Sequence, residues 1–129
     1  MATFGNTGAP SLYYGSTDII RGVVDTGAAG TATSITAAID VKSTSDKFKC
    51  ALYVNSTGAL VAETEEKTGI SPGAKNVTFD FASPPVISAI SYDIAIWCYK
   101  GGSSDPRIAT TGSYPGRYKA LAYGSWPDP

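Results

Sequence analysis

Histidine is absent from this 129-residue chain, and charged residues make up only 16% of it. Without histidine, the chain has no Ser-His-Asp or Cys-His catalytic arrangement and no general base that titrates near neutral pH. Ten Lys and Arg residues balance eleven Asp and Glu residues, so no excess of positive charge is available to bind nucleic-acid phosphates. The composition therefore predicts a protein that is not an enzyme, needs no cofactor and does not bind nucleic acid.

Long apolar runs are also missing, since no stretch approaches the roughly 18 apolar residues of a membrane-spanning helix. Residues 1–17 contain neither the basic start nor the apolar run of a secretory signal. We therefore expect no signal peptide and no membrane partner, and the Met-Ala-Thr start predicts a complete reading frame. A surface rich in hydroxyl groups and poor in charge is common in virion and extracellular β-proteins, so we expect one of these two locations.

Cysteine occurs only twice, as Cys50 and Cys98, with no Cys-x-x-Cys or Cys/His spacing that would predict a zinc site. Both cysteines fall on the inward phase of alternating segments. Two interpretations stay open: a pair of buried free thiols that behave as small apolar side chains, or a disulfide between neighbouring strands or sheets.

Apolar and polar residues alternate with a period of two in four segments: residues 35–42, 47–55, 76–81 and 92–99. This period is typical of antiparallel strands with one buried and one wet face. Turn sequences rich in Gly and Pro separate the segments. The sequence therefore predicts one all-β domain over residues 1–129, an antiparallel, jelly-roll-like β-sandwich of about seven or eight strands. The inward phase predicts one core, formed by Phe48, Leu52, Phe79, Phe81, Ile94 and Ile96.

Weaker patterns predict the remaining strands. Ile19 to Asp25 is rich in β-branched residues, and Gly22 within it indicates a bulge or an edge. Residues 59–67 contain helix-forming side chains, but the turn-like residues 55–58 before them favour a strand. Residues 107–111 and 117–123 are predicted to be late strands.

Six segments together resemble a known type of jelly-roll module. They are residues 4–7, 35–39, 49–53, 60–66, 77–81 and 92–97. Modules of this type occur in virion proteins of phages and archaeal viruses and in secreted microbial surface proteins. The resemblance covers residues 4 to 99 and implies the fold more than the function.

The end of the chain departs from this pattern. Such modules usually continue past a Pro-Asp-Pro-like stretch into one more apolar strand, whereas this sequence stops at Trp126-Pro127-Asp128-Pro129. Either a sheet edge is left open for another chain, or the segment Leu12 to Tyr14 covers that edge.

Carboxylates are the remaining candidates for chemistry. Glu63, Glu65 and Glu66 lie on one segment, with Asp80 and Asp93 in nearby strands. The alternation places Glu63 and Glu65 towards solvent, so we interpret them as a solvated charged edge rather than a glycosidase-like pair. Aspartates in predicted loops are too scattered for a calcium site; they are Asp25, Asp105 and Asp128. Asn55 and Asn76 begin glycosylation sequons, which chance explains.

Aromatic residues concentrate towards the end of the chain. The candidate contact residues are Trp97, Tyr99, Tyr114, Tyr118, Tyr123 and Trp126. The alternation places Trp97 and Tyr99 on the outward face, where rigid rings suit contacts with proteins or sugars. The alternative is that the C-terminal segment, the aromatic and Gly/Pro-rich residues 114–129, folds back, so that its rings cover Trp97 and form a minor core.

These patterns predict a non-enzymatic structural or assembly protein. We expect a virion component, such as a capsid decoration or tail-associated protein, or a subunit of an extracellular filament. Its partners would be other protein chains, through self-assembly or within a larger structure. The alternative is a carbohydrate-binding module that binds glycans on an exposed aromatic platform.

Overall fold

The computed structural model describes residues 12–15, 19–25, 29–110, 117–119 and 123–126. Within these ranges the chain forms strands and no helix, and eight of the strands have four or more residues. The strands are β1 (Leu12–Gly15), β2 (Ile19–Asp25), β3 (Gly30–Thr31), β4 (Ser34–Val41), β5 (Lys47–Val54), β6 (Leu60–Glu63), β7 (Gly73–Asp80), β8 (Val86–Ile87), β9 (Ser91–Tyr99), β10 (Arg107–Thr110) and β11 (Arg117–Lys119). The all-β class and the predicted number of long strands are confirmed.

All strand pairs are antiparallel, and the long strands form two sheets. One sheet has the order β1-β10-β4-β7, and the other has the order β11-β2-β9-β5-β6. The short strands β3 and β8 pair with each other. Side chains from both large sheets meet in one core, where Phe48 of β5 and Phe79 of β7 are both completely buried. The sheets therefore pack face to face as a β-sandwich, and the six predicted core residues belong to that core.

Strand β4 shows why the alternation predicts the fold. Its inward residues Ile35, Ala37 and Ile39 are buried, while Thr36 is exposed. The Thr36 hydroxyl lies 2.8 Å from that of Thr78 on the outer face of β7. Apolar side chains thus face the second sheet, and small polar side chains face water.

The ambiguous segment around residue 60 is a strand, as predicted. Strand β6 pairs with β5, and the turn before it is closed by an N–H···O bond of 2.8 Å from Gly58 to Val54. Gly58 has a φ of 74°, which glycine adopts without steric cost. Strands β10 and β11 likewise lie within the two predicted late segments.

The predicted bulge at Gly22 is wrong. The pairing of β2 with β9 runs from Ile19 opposite Trp97 to Asp25 opposite Ser91 without a register shift. Among the described residues, strand β11 pairs with β2 at Ile19, Ile20 and Arg21.

Of the two alternatives for the sheet edge, the structure has the one in which the N-terminal segment covers it. Strand β1, which contains residues 12 to 14, pairs with β10 along its four residues. Strand β10 is therefore not an edge of its sheet. Residues 4–7, part of the jelly-roll resemblance, lie outside the described residues.

Candidate functional site

The aromatic residues form a second, smaller core on the outer face of the five-stranded sheet. Trp97 of β9 is completely buried, although its strand phase points away from the main core. The Trp126 ring lies 5.2 Å from it, and the Tyr123 ring lies at the same distance on centroids. Of the two alternatives for Trp97, the structure has the second: residues of the C-terminal segment fold back over Trp97, and their rings form a minor core.

This arrangement has two parts. The C-terminal arm is Tyr123–Trp126. The seat is the patch of β5 and β9 beneath it, formed by Lys49, Ala51, Tyr53, Ala95 and Trp97. Ala51 and Ala95 are opposite each other in the β5–β9 pairing, and their small side chains leave room for large rings above the sheet. The seat therefore accepts an indole because its floor is made of alanine.

Lys49 holds the arm by its charge. Its Nζ lies 4.8 Å from the centre of the Trp97 ring, 4.6 Å from that of Tyr123 and 5.5 Å from that of Trp126. The ammonium also donates to the Gly124 carbonyl. Burial lowers the pKa of Lys49, while the carboxylates of Glu66 and Glu63 oppose that shift. Three ring faces around one ammonium form a cation–π cage whose occupant is a side chain of the same molecule.

Tyr123 connects the arm to the charged segment after β6. Its hydroxyl donates a hydrogen bond of 2.8 Å to Oε2 of Glu66. Burial raises the pKa of the Tyr123 phenol, and the hydrogen bond to the carboxylate raises it further. The phenol therefore stays neutral and keeps donating across the ordinary pH range.

Both indole nitrogens of the small core lack an acceptor. Nε1 of Trp97 and Nε1 of Trp126 are buried and have no hydrogen-bond partner in the described part of the chain. A buried donor without a partner costs about 1–3 kcal/mol. The contact between arm and seat is therefore apolar and electrostatic, and its polar groups are incompletely matched.

The other predicted contact residues are either more exposed to solvent or are not fully among the residues that the structure describes. Tyr99 is 43% exposed, with Lys47 Nζ 5.3 Å from its ring centre. Tyr118 lies in β11, of which only the backbone is described, and Tyr114 lies outside the described residues. Because Trp97 and Trp126 are buried, the exposed multi-ring platform predicted for glycans is not formed by these two residues.

The two cysteines are inward, as predicted, and both are free thiols. In the β5–β9 register, Cys50 lies opposite Ile96 and Cys98 opposite Phe48, so the thiols sit diagonally on one sheet face. Burial raises the pKa of both thiols. Of the two interpretations, the structure has the buried thiols.

The predicted carboxylates lie in different environments. Glu63 and Glu65 are exposed, as expected for a solvated edge, and Glu65 accepts a hydrogen bond of 3.0 Å from the backbone N–H of Asp80. Asp93 is buried and accepts a hydrogen bond of 2.8 Å from the side-chain amide of the sequon residue Asn55. Glu66 acts in the arm contact instead.

The aspartates considered for calcium are dispersed. Asp25 lies in β2 rather than in a loop, Asp105 pairs with Lys100 at 3.1 Å, and Asp128 is outside the described residues. No group of three or more metal-binding side chains occurs among the residues that the structure describes. Nor do those residues contain a helix that could cross a membrane.

Sequence reasoning missed Asp46, which is completely buried. Its carboxylate accepts hydrogen bonds from the backbone N–H groups of Lys42, Ser43 and Gly101, at 2.8 to 2.9 Å. This clamp joins the β4–β5 turn to the loop after β9. The signal was present, because a Ser-Thr-Ser-Asp stretch favours side-chain-to-backbone bonds in a turn.

An exposed apolar surface was also missed. It lies at the end of the sandwich where β8 pairs with β3, and we call it the apolar tip. Its most exposed large side chains are Val86, at 81%, and Ile90, at 46%. Residues 29–33, 55–59 and 81–91, which form this end, contain no Asp, Glu, Lys or Arg. That absence of charge is the sequence signal that could have identified the surface.

Backbone hydrogen bonds hold the three uncharged segments together. Ala32 N–H donates to the Pro85 carbonyl at 2.9 Å, and Asn55 N–H donates to the Ser91 carbonyl at 3.2 Å. The three segments are therefore joined at one end of the sandwich.

Comparisons with known proteins identify no relative of this chain. No protein-family model, curated protein or solved structure matches it.

Proposed function

We propose that the chain is a non-enzymatic structural subunit of a virion or an extracellular assembly, and that it contacts other protein chains through the apolar tip. The observation that carries this proposal is the exposure of Val86 and Ile90 within an uncharged surface. Contiguous apolar surface without charge is typical of protein–protein contact sites.

The geometry of the tip supports a contact role because the exposed side chains stand on a fixed loop. Ile87, next to Val86, is buried in the main core. The Ser88 N–H donates to the hydroxyl of the buried Tyr92 at 2.8 Å. A loop that is already ordered loses little conformational entropy on binding. Full burial of an exposed Val or Ile side chain contributes about 1.5–3 kcal/mol. Val86, at 81% exposure, can gain most of this on binding, and Ile90, at 46%, about half.

We also propose that the sandwich has jelly-roll topology, as the sequence resemblance implies. In chain order, the eight long strands are β1, β2, β4, β5, β6, β7, β9 and β10. One sheet contains the first, eighth, third and sixth of these, and the other contains the second, seventh, fourth and fifth. This order supports a jelly roll, which consists of two Greek keys shared between two sheets.

The test of the assembly function is self-association of the purified chain, measured by light scattering across a concentration series. We expect the wild-type chain to form a defined oligomer or polymer. The Val86→Ser/Ile90→Ser variant should lose the association made through the tip, so that its weight-average mass falls below that of the wild-type chain at the same concentrations, with an unchanged circular dichroism spectrum. A wild-type chain that stays monomeric throughout would overturn the proposal.

Tyr99→Ser is the matched control, because Tyr99 is the remaining exposed large apolar side chain in the described region. Self-association should survive this substitution. If Tyr99→Ser abolishes association while the tip variant does not, the contact lies beside the C-terminal arm, where the Tyr99 ring centre is 5.6 Å from that of Tyr123. A monomer that a polysaccharide resin retains through Tyr99 would favour the carbohydrate-binding alternative.

A further inference from the structure

The contacts of the C-terminal arm are made by side chains rather than by sheet pairing. Lys49 donates to a carbonyl of the arm, Tyr123 donates to Glu66, and the remaining contacts are between rings. In the described part of the chain, no backbone–backbone hydrogen bond joins the arm to a strand. The arm can therefore leave the seat without breaking any pairing within the two large sheets.

The seat cannot remain uncovered at low cost once the arm has left. Trp97 is completely buried under the arm, and Tyr53, whose ring centre lies 6.2 Å from that of Trp126, is 1% exposed. Exposure of both would create an apolar patch beside Lys49, and such a patch attracts another apolar segment. A segment known to fit the seat in shape and charge is the arm itself, and every copy of the chain carries one.

From these contacts we infer that two copies of the chain exchange their C-terminal arms, so that the arm of each copy binds the seat of the other. The exchanged contact uses the cage around Lys49, the Tyr123–Glu66 hydrogen bond and the alanine floor. Each contact broken within a monomer is made again between two copies, which is why exchange is a low-cost route to a dimer. This contact is separate from the apolar tip and does not depend on it.

The connection between β11 and the arm restricts the arrangement of the two copies. Strand β11 ends at Lys119 and the arm begins at Tyr123, so four residue steps span no more than about 14 Å. While β11 stays paired in its own sheet, the arm of one copy can reach the seat of the other copy only if that seat lies within this distance. The outer faces of the two five-stranded sheets must therefore face each other.

A substitution in the arm alone is a poor test of this exchange. Trp126→Ala weakens the same contact in the monomer and in the exchanged dimer, so the ratio of the two species changes little. The informative experiment separates arm from seat in two different chains. One chain carries Tyr123→Ser/Trp126→Ser, which disables its arm, and the other carries Ala95→Glu, which places a charge beneath the arm.

Both chains also carry Val86→Ser/Ile90→Ser, so that the apolar tip cannot contribute to association. Each chain alone should be monomeric by light scattering, because it lacks either a working arm or a working seat. An equimolar mixture should form a heterodimer, and its weight-average mass should rise towards that of two chains. If the mixture stays monomeric while both chains keep the wild-type circular dichroism spectrum, the inference is wrong.

The matched control is a mixture in which the second chain carries Ala95→Glu together with Tyr123→Ser/Trp126→Ser. That mixture has no working arm and should not form a heterodimer. A heterodimer in the control would show association through another surface and would overturn the inference. This failure is distinguishable from failure of the assembly proposal, because the apolar tip is disabled in all chains.

If an arm or seat variant does not fold, the chain that carries only Val86→Ser/Ile90→Ser provides a second test. Isotope-labelled and unlabelled copies are mixed at millimolar concentration, comparable to the effective concentration of an arm tethered to its own seat. Isotope-filtered NOE spectra should then show contacts between Trp126 of one copy and the Ala95 methyl of another. If only contacts within one chain are found, exchange does not occur.

Discussion

The buried carboxylate of Asp46 gives a stability prediction with a defined magnitude. Asp46→Ala removes the acceptor of three backbone N–H groups, in residues 42, 43 and 101. A hydrogen bond to a charged group contributes about 1.5–3 kcal/mol. Residues 42 and 101 are exposed, so their freed N–H groups regain water and part of the loss is recovered. We expect the free energy of unfolding to fall by about 3–5 kcal/mol.

Urea denaturation followed by circular dichroism measures this loss, with Asp105→Ala as the matched control. Asp105 is exposed, and its ion pair with Lys100 spans 3.1 Å at the surface. Exposed pairs contribute about 0–1 kcal/mol, so the control should lose little. If Asp46→Ala also costs less than about 1 kcal/mol, the clamp does not stabilise the fold and the reasoning fails.

Three further predictions concern the core, one glycine and the thiols. Phe79→Ala should cost about 3–5 kcal/mol in the same assay, and a loss below about 1 kcal/mol would contradict its place in the core. Gly101→Ala should lower the thermal midpoint more than Gly30→Ala, because a Cβ at Gly101 would overlap the backbone of the β4–β5 turn, whereas Gly30 has open space; equal shifts would argue against that close approach. Cys50 and Cys98 should resist a thiol reagent in the native chain and react after unfolding, since burial raises the pKa of both. The neutral thiols stabilise the fold fully below the unfolded thiol pKa of about 8.5, and this contribution is lost as the pH rises towards their raised pKa values in the folded chain. Rapid labelling of the folded chain by the thiol reagent would refute the burial.

The alternating strands were predictable because their two faces have different environments. In β4 and β7 one face meets the second sheet and the other meets water, so apolar and polar residues alternate. The inward set around Phe48 and Phe79 follows directly from that pattern. The strand at residues 60–63 was predictable for another reason, since a tight turn after β5 returns the chain to pair with it.

The burial of Trp97 was not predictable from the same rule. Alternation assigns a residue to one of two sheet faces, but it does not say what covers the outer face. In β5 both faces of the second half are buried, as Ala51 and Tyr53 on the outer side show. The outward positions of β5 and β9 carry apolar residues where water-facing positions are usually polar. These residues, Ala51, Tyr53, Ala95 and Trp97, together indicated a patch that is covered from water. The covering segment lies far along the chain and contains no strand pattern of its own.

The energetics of the arm connect its placement to its proposed exchange. Burying one indole removes about 150–250 Å² from water, worth about 4–6 kcal/mol at 25 cal/mol per Å². The arm contributes Trp126 and covers Trp97. Against this, ordering its four residues costs about 1–2 kcal/mol each, and the two unpaired indole N–H groups cost about 1–3 kcal/mol each. The Tyr123–Glu66 hydrogen bond and the cation–π contacts of Lys49 add to the favourable side. An uncovered seat is therefore costly, and the arm of a second copy restores the same contacts, whereas opening the main core breaks paired strands. The arm is therefore the part of the described chain that can bind to another copy while the sandwich stays folded.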